Sequence, residues 1–268
     1  IQRWDLLRTG SGGDWPIRYG GTFQVNRGVL ALDTAPEAST PDTTPFRLRL
    51  RAQNLLEKPA WGAILEVRGM PVATLREVLQ AMDVALPEPI AIDGKLSGVL
   101  SYSPPSGLRG LLDLPEAAVQ SGNTSFQLHG ARLTLDGSML RLGPALVELG
   151  ENRATELEAT YAPGAYSVTW RSGAQYLPVA DLNAGASQLL GVSTQPFAPL
   201  LDGQWRGSVT VTKKASDAAP VWSGRFALRN ARLPVNGLSS PLLLHVATGN
   251  LGGNGIPLDT LQGTAGGI

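Results

Sequence analysis

Gln204-Trp205-Arg206-Gly207-Ser208-Val209-Thr210-Val211-Thr212 decides the fold class. Trp205, Val209 and Val211 fall on one side of an extended chain, with Gly207 between them. Gln204, Arg206, Ser208, Thr210 and Thr212 fall on the other. Successive side chains of a strand point to opposite faces, so this alternation describes a sheet with one apolar and one wet face. Phe46-Arg47-Leu48-Arg49-Leu50-Arg51-Ala52 repeats the pattern. So does Glu156-Leu157-Glu158-Ala159-Thr160-Tyr161, which is expected to turn over Ala162-Pro163-Gly164-Ala165 and return as Tyr166-Ser167-Val168-Thr169-Trp170. Two alternating runs about a Pro-Gly loop read as a hairpin.

Two stretches have helical spacing instead. Val72, Leu75, Leu79 and Met82 share one helix side, and Thr74 with Glu77 fits a capping box. Val179, Leu182, Ala186 and Leu189 share another, with Asp181 to cap it and Gly191 to stop it. The two stretches resemble each other: Met70-Pro71-Val72-Ala73-Thr74-Leu75 matches Leu177-Pro178-Val179-Ala180-Asp181-Leu182. Downstream, Ile92-Asp93-Gly94 matches Leu201-Asp202-Gly203, and Gly110-Leu111-Leu112-Asp113-Leu114 matches Gly224-Arg225-Phe226-Ala227-Leu228. Upstream, Phe23-Gln24-Val25 matches Phe126-Gln127-Leu128, and a competing register sets Phe126, Leu128 and Ala131-Arg132-Leu133 against Phe226, Leu228 and Ala231-Arg232-Leu233. These matches predict a repeat of about 105 residues, with a partial copy over 1–69, a full copy over 70–176 and a partial copy over 177–268. Stacked repeats build elongated objects rather than a ball around one pocket.

The composition excludes several functions. The chain has 268 residues with 22 basic and 22 acidic side chains, so no basic excess suggests a nucleic-acid surface. Cys is absent, which removes disulfides, thiol nucleophiles and cysteine metal clusters. Gly and Pro, 32 and 20, favour many turns. No apolar run reaches the length of a transmembrane helix. The start Ile1-Gln2-Arg3-Trp4 reads as an excised or processed piece of a longer protein.

Groups able to carry catalysis are few. His129 and His245 both lie in strand-like text, without metal-ligand spacing or a nucleophile elbow. Glu156 and Glu158 are a carboxylate pair of the kind glycoside hydrolases use, but they occupy the polar side of an amphipathic strand. Asp93-Gly94, Asp136-Gly137 and Asp202-Gly203 read as turns, and Gly252-Gly253-Asn254-Gly255 lacks the Lys-Ser/Thr of a phosphate loop. No enzyme, metal or cofactor is expected. Arg47, Arg49 and Arg51 form a row of cations on one strand face, suited to phosphate head groups or to a solvated face that discourages edge pairing.

Apolar strand faces need a cover. A second sheet would make a β-sandwich, as in extracellular interaction or adhesin modules. A curved sheet would instead hold a hydrophobic guest. A two-tailed lipid needs on the order of 20 kcal/mol of replacement contact to leave a membrane, at about 0.8 kcal/mol per CH2. A long apolar surface supplies that without any specific residue. The order of a Pro-Val-x-x-Leu helix, an Asp-Gly strand and a Gly-x-hydrophobic-x-Leu hairpin resembles the periplasmic region of AsmA-like proteins, bridge-like lipid-transfer factors of Gram-negative-type bacteria. The likeness runs from about Phe23 to Gly263.

That resemblance implies an all-β, elongated, curved antiparallel groove with two short helices. It implies a periplasmic location, with attachment to the inner membrane through a segment missing from this chain. It also implies phospholipid transport in outer-membrane biogenesis, inner- and outer-membrane protein partners, and no nucleic acid. The residues expected on the apolar side are Leu48, Leu50, Leu100, Leu128, Leu133, Leu135, Leu157, Tyr161, Val168, Trp170, Trp205, Val209 and Val211. Arg47, Arg49 and Arg51 are the candidate head-group contacts.

Overall fold

The computed structural model describes residues 4–6, 17–24, 28–34, 46–54, 58, 60–74, 91–104, 106–121, 124–148, 154–190, 197–252 and 257–265. The protein is all-β. Its strands are β1 (Trp4–Leu6), β2 (Ile17–Gln24), β3 (Val29–Thr34), β4 (Phe46–Gln53), β5 (Ala60–Pro71), β6 (Ala91–Ser103), β7 (Gly107–Ser121) and β8 (Thr124–Asp136). They continue as β9 (Met139–Glu148), β10 (Ala154–Ala162), β11 (Ala165–Arg171), β12 (Leu177–Pro178), β13 (Asp202–Lys213), β14 (Val221–Leu233), β15 (Leu242–Gly252) and β16 (Leu258–Thr264). They follow one another in an open sheet in chain order, with the two-residue β12 set off the path against β13. The pairings resolved residue by residue are antiparallel throughout, from β1–β2 to β15–β16. Among the described residues, no strand forms a second, facing sheet.

One helix, α1 (Val179–Leu190), is described over its length. Asp181 lies inside its first turn rather than ahead of it, where its charge complements the helix N-terminus. Val72–Thr74 are helical as well; the rest of the first expected helix lies outside the described residues, as does Gly191. The expected hairpin is present as β10–β11, with Ala162 opposite Ala165. Its loop is therefore only Pro163-Gly164, and Gly164 takes φ 76°, the Pro-Gly combination of a type II turn.

By compactness the chain divides into two units. The first comprises Ile1–Ala85, Lys95–Leu114 and Leu133–Ser138; the second comprises Leu86–Gly94, Pro115–Arg132 and Met139–Ile268. In the first unit the core is formed by Ala63, Leu65, Val67 and Met70 of β5, Leu96 and Leu100 of β6, and Leu112 and Leu114 of β7. In the second it centres on Trp170, Trp205, Val209, Val211, Phe226, Leu228 and Leu244. There α1 packs on β12 and β13 with Val179 and Leu182 buried, and Phe197 meets Phe226 edge-on at 5.0 Å between ring centroids.

Strict alternation fails at bulges, and these fix which residues share a face. Val67 and Met70 are three apart yet both buried, with Gly69 at φ 61° between them and the β5–β6 register shifting there. Leu128 and Ala131 flank Gly130 at φ 65°, and Leu228 and Ala231 flank Asn230 at φ 51°. An extra residue in the left-handed region lets the strand re-enter its apolar phase. Gly and Asn occupy these positions because they take that conformation most cheaply.

The β6–β7 and β13–β14 hairpins share a second backbone feature. Gly98 and Gly110 have φ 153°, and Gly207 and Gly224 have φ 143° and 141°. A Cβ on any of them would stand 2.1 to 2.2 Å from a carbonyl oxygen of the facing strand. Both hairpins thus carry a glycine on each strand, where side chains are excluded by backbone.

Candidate functional site

The apolar sheet face is the candidate site, and its exposure differs from place to place. In the first unit, cross-strand rows assemble it: Leu32–Leu50–Ala63–Tyr102 and Leu48–Leu65–Leu100. Leu65 and Leu100 are buried, whereas Leu30, Leu32, Leu48 and Leu50 are half-buried. Leu133 and Leu135 of the same unit are also half-buried. With strands about 4.8 Å apart, a row over three strands covers about 10 Å, and the β4 side of it is accessible.

In the second unit, Leu157 lies opposite Trp170, Trp170 opposite Val209, and Val168 opposite Val211. All of these are buried, as are Leu128 and Trp205; Val209 and Val211 are 0% exposed. Protein already covers them. Tyr161, opposite Tyr166 at the end of the β10–β11 hairpin, is 41% exposed. Next to it on β9 and β10, Leu140, Leu142 and Ala159 are half-buried. The thirteen expected apolar residues therefore separate into a sealed set (Leu100, Leu128, Leu157, Val168, Trp170, Trp205, Val209 and Val211) and an accessible set (Leu48, Leu50, Leu133, Leu135 and Tyr161).

The polar face is ordered by ion pairs. Arg47 grips Asp33 with two hydrogen bonds, Nε to Oδ1 at 2.9 Å and Nη2 to Oδ2 at 2.6 Å. Arg49 lies 3.1 Å from Glu66 and 3.7 Å from Asp33. Two of the three row cations are thus held by acids of the flanking strands, while Arg51 is exposed. In the second unit Arg171 donates to Glu156 at 2.6 Å and to Glu158 at 2.9 Å. These hydrogen bonds, Glu158 first, raise the guanidinium pKa above its ordinary value. The glutamate pair thus forms one half of an ion clamp. Arg232 holds Asp202, and that hydrogen bond lowers the Asp202 carboxyl below the usual carboxylate range.

The two histidines have separate surroundings. His129 Nε2 is 3.7 Å from Glu148, and His245 Nε2 is 3.3 Å from Thr264 Oγ1.

Sequence periodicity missed the β5 contribution, Ala63, Leu65, Val67 and Met70. The signal was present in Ala63-Ile64-Leu65-Glu66-Val67, but the bulge at Gly69 moves Met70 out of the period-two series. It also missed Tyr176, whose ring lies under Arg206 and Arg229. No protein-family model, no curated protein and no solved structure matches this chain.

Proposed function

We propose that the protein binds the acyl chains of a phospholipid on its apolar sheet face, as a segment of a periplasmic lipid-transport conduit of the AsmA-like kind. The observation that carries this reading is the half-buried leucine cluster Leu30, Leu32, Leu48 and Leu50 on β3 and β4, which extends a buried apolar face into accessible surface. Acyl chains need contact area rather than a specific partner, at about 0.8 kcal/mol per CH2 removed from water. The polar side of the same strands carries the exposed or half-exposed pairs Arg47–Asp33 and Arg49–Glu66. The chemistry is passive: lipid tails rest on leucines while the head group stays in water.

Position decides the test. Asp at Val209 or Val211 would place a charge among fully buried groups and unfold the strand rather than report on a guest. Leu48→Asp and Leu50→Asp place the charge on accessible surface. Binding of a fluorescent phospholipid should fall at least tenfold in the double variant while its circular dichroism stays that of the parent. Unchanged lipid binding by a folded double variant refutes the reading.

A further inference from the structure

Arginines of the second unit are neutralised on part of the polar face and not on another part. Arg171 and Arg232 are each held by carboxylates. Arg206, Arg225 and Arg229 have no carboxylate partner among the described residues, and all three are exposed. They are neighbours by register. Arg206 on β13 lies opposite Ala227, with Arg225 and Arg229 two positions to either side on β14. The same strand face thus presents three arginines, with Arg206 a diagonal neighbour of each of the other two.

A ring gathers two of them. Tyr176 is half-buried just before β12, and the Arg206 and Arg229 guanidinium carbons lie 4.9 and 5.9 Å from its ring centroid. The ring face attracts each cation, yet bringing two cations to one ring adds mutual repulsion that the ring does not cancel. The bulge at Asn230 contributes to the arrangement: its extra residue puts Arg229 and Arg232, three apart, both in solvent. Nearby acids are engaged elsewhere. Asp202 is bound by Arg232, and Glu156 and Glu158 by Arg171. Asp259 accepts from Asn250, the residue opposite Arg225.

We infer that Arg206 and Arg229, gathered by Tyr176 and with Arg225 next to Arg206 by register, form a binding site for a phosphate group. Two planar forks of N–H donors held at one ring match the several acceptor oxygens of phosphate, and the anion relieves the repulsion between the cations. The site lies on the polar side of β13 and β14, and phosphate binding there does not depend on acyl-chain binding.

Two probes test it: inorganic phosphate, and vesicles of phosphatidylcholine with or without phosphatidylglycerol. The readout for phosphate is NMR of the whole chain carrying isotopically labelled tyrosine rings, with Tyr176 assigned by Tyr176→Phe; for vesicles it is co-flotation. Saturable shifts of Tyr176 are expected on adding phosphate. Affinity should fall about tenfold or more in Arg206→Gln and in Arg229→Gln, the loss of a charge-assisted hydrogen bond in each, and stay unchanged in Lys214→Gln, which removes the same charge elsewhere. Arginine-dependent flotation with phosphatidylglycerol identifies a lipid head group as the source of the phosphate. Phosphate binding without flotation identifies a soluble phosphate compound. Absence of saturation with both probes, or an equal loss in Lys214→Gln, overturns the site.

Discussion

Gly224 lies directly opposite Val209 across β13 and β14, and a Cβ on Gly224 would stand 2.1 Å from the Ser208 carbonyl oxygen and 3.0 Å from the Val209 Cα. Its φ of 141° is in a region that only glycine occupies readily. Gly207, opposite Phe226, repeats the arrangement from the other strand. Close backbone approach at these glycines is what lets Trp205, Val209, Phe226 and Leu228 form one sealed core.

Gly224→Ala should therefore destabilise the second unit by about 3 kcal/mol or more, since backbone strain and a steric clash act together. Gly237, with φ 93° and nothing within 4 Å of its Cβ position, serves as the comparison. Gly237→Ala should cost only about 1–2 kcal/mol, from conformation alone. Urea titrations of the two variants check the difference.

The bulge at Asn230 makes a similar claim with opposite signs. Asn230→Gly should be neutral or slightly stabilising, because glycine takes φ 51° without strain. Asn230→Val should cost about 2 kcal/mol, because a β-branched residue resists that region. Thermal melts of both variants decide this.

Burial separates the expected apolar residues energetically. Trp205→Ala and Trp170→Ala, each removing a side chain that is 1% exposed, should cost about 3–5 kcal/mol. Tyr161→Ala should cost under about 1 kcal/mol, because that ring is exposed at a hairpin end. Denaturant midpoints at constant m-value test the ranking.

Acid titration reads the Arg232–Asp202 pair. The native carboxyl is held below its unfolded value of about 3.9, mainly by the Arg232 hydrogen bond, so its contribution is fully present above that value and is lost as pH falls through the native pKa. The melting temperature of the parent should exceed that of Asp202→Asn at neutral pH, and the gap should close below about pH 4. The gap will be small, because both side chains are about half exposed.

The alternation at Trp205–Val211 and the Glu156–Trp170 hairpin sufficed to place β10, β11 and β13, because one buried face enforces period two. The same rule leaves open which apolar residues stay accessible. Val209 and Leu48 look alike in an alternating string, but Val209 on β13 is buried whereas Leu48 on β4 is only half-buried. That distinction depends on contacts distant in sequence. Bulges were hidden as well: Leu228-Arg229-Asn230-Ala231 breaks alternation for a backbone reason that no hydrophobicity pattern encodes. The Tyr176 cluster was missed because Arg206 and Arg229 approach through strand register, not through proximity in the chain.

Lipid content of the purified protein tests acyl-chain binding most directly. Native mass spectrometry of the chain expressed in a Gram-negative host should show adducts of phospholipid mass that are depleted in the Leu48→Asp/Leu50→Asp variant. Parent protein that remains free of phospholipid, both as purified and after incubation with phospholipid vesicles, would contradict the account.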